Sequence, residues 1–249
     1  MTTADMLLRA ILESPEDDAP RLVYADWLEE HGDAKRAEFI RAQCTLAGMP
    51  DGHPTRPALG DRVRQLEAKH RRSWLAPVRR WLDDWWFHRG FVEYISIDTR
   101  RFVKRAEDLF CYAPVQRVEF NHADGRVREL AAVPQLRRLT HVYLNRRNRD
   151  DYGNDLSDAD VWALAAAPLD RVTYLSFGGG CASEEAFRAL AASPHLAGLR
   201  HLRVIVHTDV PWSALNAPRP DSRTADLGPK LATWFAPGVA EVVEDVNPC

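Results

Sequence analysis

The amino-acid sequence predicts an α/β chain, with a helical unit at its N-terminus and a curved solenoid of about five parallel strands behind it. Three observations carry that prediction. An apolar-x-x-apolar-x-apolar frame recurs five times between Val92 and Val204. Amphipathic segments that end near prolines separate the frames. Ahead of the first frame the apolar residues instead keep helical spacing.

Composition sets the outer bounds. The chain has 249 residues, 45% hydrophobic and 28% charged, with a formal net charge of −3. A disordered chain would be poorer in apolar residues. The start Met-Thr-Thr-Ala-Asp-Met, with acids by Glu13, does not read as a secretory leader, and no run of about 18 apolar residues is present. Cys44, Cys111, Cys181 and Cys249 lie far apart without a CxxC pair, against a zinc site or a disulfide framework. The expectation is a soluble cytoplasmic protein.

Residues 1–48 predict three helices. Met6, Leu7, Ala10 and Ile11 keep helical spacing, and Ser14-Pro15-Glu16-Asp17 offers a cap, a first-turn proline and acids. Pro20 can open the next helix, in which Leu22, Val23, Trp27 and Leu28 gather on one side. Gly32 suits its C′ stop, and Asp33 can cap a third helix with an Ala37, Ile40, Cys44, Ala47 stripe, ended by Gly48.

The same residues carry a resemblance. Pro20-Arg21-Leu22-Val23-Tyr24-Ala25-Asp26-Trp27-Leu28-Glu29-Glu30-His31-Gly32-Asp33, then Arg36, Ala37-Glu38-Phe39-Ile40-Arg41 and Gln43, resembles the bacterial repeat-companion domain over roughly residues 3–48. That family sits beside leucine-rich-like repeats and has no activity to transfer. The resemblance implies that repeats follow.

Residues 49–90 read as a linker and a helical cap rich in Trp and Arg. Pro50, Gly52, Pro54 and Pro57 mark a loop, and Leu59, Val63, Leu66 and His70 keep a helical period to Trp74, before Pro77 breaks it. Trp74, Trp81, Trp85 and Trp86 cluster beside Phe87. Bulky apolar groups suit a cap on the open end of a repeat stack. With Arg71, Arg72, Arg79 and Arg80 interleaved, segment 62–89 is the alternative site, for nucleic acid. Residues 56–105 carry thirteen basic and six acidic residues, net +7, against five and ten, net −5, in residues 1–48. The basic stretch therefore has an acidic neighbour in its own chain.

Residues 91–207 hold the repeats. The frames are Val92, Ile95, Ile97; Val115, Val118, Phe120; Leu139, Val142, Leu144; Val172, Leu175, Phe177; and Leu199, Leu202, Val204. Their spacings of 23, 24, 33 and 27 residues lie in or near the leucine-rich-repeat range. Helix stripes fall between them: Phe102 to Phe110, Val127 to Ala131, Val161 to Ala165 behind Ser157, and Phe187 to Ala191 behind Ser183. Asn121 and Asn145 sit one residue after their frames, not three, which makes the stack a degenerate one. Residues 208–249 read as a Pro-rich tail with one short helix near Leu231 to Phe235.

Signatures of catalysis are missing: no phosphate-cradling GxxxxGK[ST], no GxGxxG, no HExxH and no GxSxG. Gly178-Gly179-Gly180-Cys181 could place a reactive thiol before a helix, but reads more simply as a flexible turn. Histidine spacings match no common metal motif. The expectation is no enzyme, no cofactor and no metal. Arg21 and Asp26 are read as a structural pair.

Strand alternation then selects a surface. The fourth and sixth frame residues point inward, and the third and fifth outward. Third positions are Tyr94, Arg117, His141, Tyr174 and His201, and fifth positions are Ser96, Glu119, Tyr143, Ser176 and Arg203. Tyrosines, histidines and arginines in that density resemble an interface hot spot. The predicted partner-binding residues are Tyr94, Arg117, Glu119, His141, Tyr143, Tyr174, His201 and Arg203. The expected function is a protein–protein interaction module, with nucleic-acid binding or a tethering role in a larger assembly as alternatives, and no membrane association.

Overall fold

In the computed structural model the described residues are 2–145, 156–179, 182–210 and 223–248. They form a mixed α/β fold. The chain divides into two compact units, Met1–Ile95 with Arg105–Val115, and Ser96–Lys104 with Gln116–Cys249.

The first unit opens with α1 (Thr3–Glu13), α2 (Ala19–Glu30), α3 (Ala34–Gly48) and α4 (Arg56–Trp74). Thr2 and Asp5 close a capping box on α1, and Asp33 caps α3 by accepting from the Arg36 N–H at 3.1 Å. Gly32, at φ 93°, provides the expected left-handed stop of α2. Ser14 ends α1 and caps no second helix, so α2 begins only at Ala19. Its buried stripe is Arg21, Ala25 and Leu28, at i, i+4 and i+7. Leu22 and Val23 are exposed, and Trp27 is half-buried, contrary to the expected apolar side. A charged residue holds the inward position in their place.

Helix α3 buries both faces. Ala37, Ile40 and Cys44 pack with Ile11, Ala25, Leu28 and Phe91, while Phe39 and Ala42 pack with Val63 and Leu66 of α4. Beyond α4 comes β1 (Asp84–His88), so Trp85, Trp86 and Phe87 stand in a strand and not in the expected helical cap. Arg89 and Gly90, at φ 47° and 85°, then turn the chain into β2 (Phe91–Asp98). Two consecutive positive φ values suit a two-residue hairpin loop, which joins antiparallel strands. No residue larger than glycine fits at Gly90, where a Cβ would lie 2.8 Å from the Ile40 Cα.

Arg21 is fully buried and donates from Nη2 to Glu93 Oε1 at 2.7 Å and to the Pro15 carbonyl at 2.7 Å. Its Nη1 donates to the Arg89 carbonyl at 3.0 Å. Glu93 is also buried and takes His88 Nδ1 on its other oxygen at 2.8 Å. The partner of Arg21 is therefore Glu93, not Asp26. Asp26 is exposed and binds Arg41, as Glu29 does.

Among the described residues seven strands follow one another in the sheet in chain order, β1 to β7. After α5 (Thr99–Tyr112) they are β3 (Arg117–Asn121), β4 (His141–Asn145), β5 (Tyr174–Gly178), β6 (His201–Val210) and β7 (Ala240–Pro248). Strands β3 to β7 pair in parallel. Strands β2 to β6 each fall on one of the five expected frames, although in β3 to β6 the first frame residue precedes the strand. The count is seven, however, because β1 and β7 arise from sequence without the frame. The last unit also holds α6 (Val127–Ala131), α7 (Asp158–Ala165), α8 (Glu184–Ala191) and α9 (Arg223–Trp234). The segment read as a Pro-rich tail with one short helix contributes α9, which includes Leu231 to Trp234, and also β7, a parallel partner for β6.

Inside the second unit the inward frame residues form the core: Val118, Phe120, Val142, Leu175, Phe177, Leu202 and Val204 are all nearly inaccessible. One feature absent from the frame repeats as well. Leu136, Leu169 and Leu196 are buried three residues before Leu139, Val172 and Leu199, and each accepts from the N–H of that later residue at 2.9–3.0 Å. The tight turn it closes sets the angle at which each chain segment enters its strand.

Candidate face of strands β3 to β6

The strand register brings the outward residues together. Arg117 lies opposite His141, His141 opposite Tyr174, and Tyr174 opposite His201. A second row runs Glu119, Tyr143, Ser176, Arg203 and Glu241. Four strand spacings of about 4.8 Å make that row roughly 19 Å long.

The backbone fixes this register from below. The Gln116 carbonyl accepts two N–H groups, from Thr140 at 2.8 Å and His141 at 3.2 Å. Thr140 does the same for Thr173 and Tyr174, and Thr173 for Arg200 and His201. One forked bond at the base of β4, β5 and β6 therefore locks His141, Tyr174 and His201 each beside its neighbour. A slip of one residue would send each of them into the core.

Aromatic contacts follow from that alignment. His141 stacks on Tyr174, with ring centroids 5.6 Å apart and planes 12° from parallel. Tyr143 lies 5.1 Å from Tyr174, and His201 6.0 Å from it on the far side. Tyr174 thus sits at the centre of a four-ring cluster. Burial is the largest influence on His141, and with Arg117 and His201 it pushes the imidazole pKa below its ordinary value. Burial also raises the phenol of Tyr143. Both rings are therefore neutral near pH 7 and act as hydrogen-bonding aromatic surfaces. Charge enters at the margins, where Arg203 lies 3.6 Å from Glu241.

Seven of the predicted residues share this face: Arg117, Glu119, His141, Tyr143, Tyr174, His201 and Arg203 stand on outward positions of β3 to β6. Tyr94 belongs to the first unit, where its ring meets Trp86 edge-on at 4.5 Å. Ser176 and Ser96 occupy outward positions yet are buried, since a short side chain is shaded by longer neighbours. Ser96 accepts from Asn121 Nδ2 at 3.0 Å. Glu241 was missed, because β7 lacks the frame. Its only sequence signal is the β-branched pair Val242-Val243.

The other chemical candidates have different surroundings. Gly180 and Cys181 lie outside the described residues. His195 pairs with Asp170 at 2.9 Å, which holds that carboxyl below its usual range. Among the described residues no three His, Cys, Asp or Glu side chains gather as a metal site, and no helix is long and apolar enough to cross a membrane. In segment 62–89, Arg62 binds Glu38 and Arg64 binds Asp61, while Arg71 and Arg80 lie over Trp85 and Trp81. The chain matches no protein-family model and no curated protein.

Proposed function

We propose that the chain is a non-enzymatic, cytoplasmic interaction module, in which a short leucine-rich-like solenoid offers the outward face of β3 to β6 to a protein partner. The helical unit of residues 1–48 is, in this reading, a repeat-companion domain that caps or positions the repeats. The observation that carries the proposal is the register-locked cluster of His141, Tyr143, Tyr174 and His201. Rigid rings with polar tips, pre-ordered by their neighbours, cost little entropy to immobilise and suit an interface centre. Flanking arginines and carboxylates suit its rim.

Nucleic-acid binding through segment 62–89 has weaker support. Arg62 and Arg64 are engaged by carboxylates, and Arg71 and Arg80 by tryptophans. Affinity purification from the native cells, with the wild type and Tyr174→Ala as parallel baits, tests the reading. A protein held by the wild type and lost by the variant is expected. Nuclease-sensitive recovery that the variant leaves unchanged would contradict it.

A further inference from the structure

The first unit contains a cavity of about 350 Å³ that neither the repeat face nor the core needs. Its walls are aromatic: Tyr24, Trp74, Phe87, Phe91 and Tyr112. Asp33, Ser73, Ala76 and Pro77 line it too and are exposed, so the cavity reaches solvent at that side. A volume of this order suits a small molecule.

Arg36 also lines the cavity. Its guanidinium carbon lies 4.6 Å from the Trp74 ring centre, and 5.3–5.5 Å from those of Phe39, Phe87 and Phe91. Rings supply attraction for a cation but no acceptor atoms in its plane. The Arg36 Nη1 is buried without a hydrogen-bond partner. Among the described residues no carboxylate pairs with this guanidinium. Asp33, the nearby acid, instead accepts the Arg36 backbone N–H as the cap of α3. Tyr112 is committed as well, donating its hydroxyl to the Trp74 carbonyl.

The neighbouring buried arginine shows what is missing. Arg21 sets both of its terminal nitrogens on acceptors, Glu93 and two carbonyls, and leaves only Nε unpartnered. Arg36 has rings around a buried Nη1 that lacks an acceptor, and leaving a buried N–H unpaired is expensive. A planar carboxylate matches a guanidinium fork, and an apolar body matches the surrounding walls.

We propose that this cavity binds a small monocarboxylate with an aromatic or compact apolar body, its carboxylate on Arg36 and its body among Trp74, Phe87 and Phe91. One cation sets one negative charge, and Asp33 at the rim disfavours a second. The site is independent of the repeat face.

Calorimetric titration of the whole protein with 2-naphthoate, 2-naphthamide and 2-naphthylmethylammonium tests the assignment. The expected result is one-to-one binding of the carboxylate, tighter than the amide by roughly tenfold to a hundredfold, the range of a charge-assisted hydrogen bond. The ammonium should bind most weakly. Arg36→Gln should abolish the preference for the carboxylate over the amide. Because that variant removes a core cation and its folding is not assured, wild-type methyl NMR locates the site independently. The Leu8, Leu28, Leu75 and Val92 methyls, which line the cavity, should shift with 2-naphthoate. A Kd weaker than about 1 mM, equal affinity for carboxylate and amide, stronger binding of the ammonium, or shifts elsewhere would each overturn the proposal.

Discussion

The imidazole of His141 and the phenol ring of Tyr174 stack across two parallel strands, 5.6 Å apart and 12° from parallel. Neither residue is near the other in sequence. Their meeting depends on the strand register and on the Thr140 carbonyl, which binds the Tyr174 N–H at 3.2 Å. A double-mutant cycle on the stability of His141→Ala and Tyr174→Ala should therefore return a coupling of about 0.5–1.5 kcal/mol, the usual range for an aromatic pair. Additive effects would mean that the two rings do not touch in solution.

His141 also predicts a pH dependence. Burial, Arg117 and His201 lower its folded-state pKa, while the unfolded chain keeps an ordinary imidazole. The unfolded state thus binds the proton more readily, so stability is highest above about pH 6.5 and declines as pH falls toward the lowered folded value. Urea denaturation at pH 8 and pH 5, for the wild type and His141→Gln, checks the sign. The difference between the two proteins should change with pH in that direction.

Much of the second unit is legible in the sequence because one frame imposes period-two alternation on each strand. Val118 and Phe120 go in and Arg117 and Glu119 go out whatever the surroundings. Strand β7 is not legible, since its pairing with β6 is decided by a tertiary neighbour and by no pattern of its own. Helix α2 misled for a related reason. Spacing placed Leu22 and Val23 inward, but Arg21 takes the inward position because Glu93, 72 residues away, waits there. Trp27 is consequently only half-buried, so Trp27→Ala should cost less than the roughly 3–5 kcal/mol expected of a fully buried ring. The Arg36 cavity escaped for the same cause: its lining comes from five separate segments of chain.

The buried pair Arg21–Glu93 should behave as a unit. Arg21→Ala leaves Glu93 buried beside only Arg89 and His88, and breaking such a pair costs about 3–5 kcal/mol. Exchanging both for apolar residues of similar volume, Arg21→Met with Glu93→Leu, should cost clearly less. Thermal or chemical unfolding of the single and double variants measures the difference. A double variant as unstable as the single one would mean that the charges themselves hold the first unit together.

Gly90 combines a positive φ with a close approach to Ile40. Gly90→Ala should destabilise by about 1–3 kcal/mol through overpacking alone, and by more once the backbone strain is added. Gly125 also has a positive φ, but nothing lies within 4 Å of its Cβ position. Gly125→Ala is therefore the control for the backbone contribution, and its midpoint in denaturant should fall less.

The central claim is that the outward face of β3 to β6 is the binding surface. With a partner in hand, binding should be measured at two salt concentrations for two variants, Tyr143→Ala with Tyr174→Ala, and Arg71, Arg72, Arg79 and Arg80 all to Gln. The tyrosine pair should lose about 2 kcal/mol or more, roughly thirtyfold in Kd, at both salt concentrations. The arginine set should bind nearly as the wild type does. Loss of binding in the arginine set, silence in the tyrosine pair, and a steep fall of wild-type affinity with salt would contradict the claim.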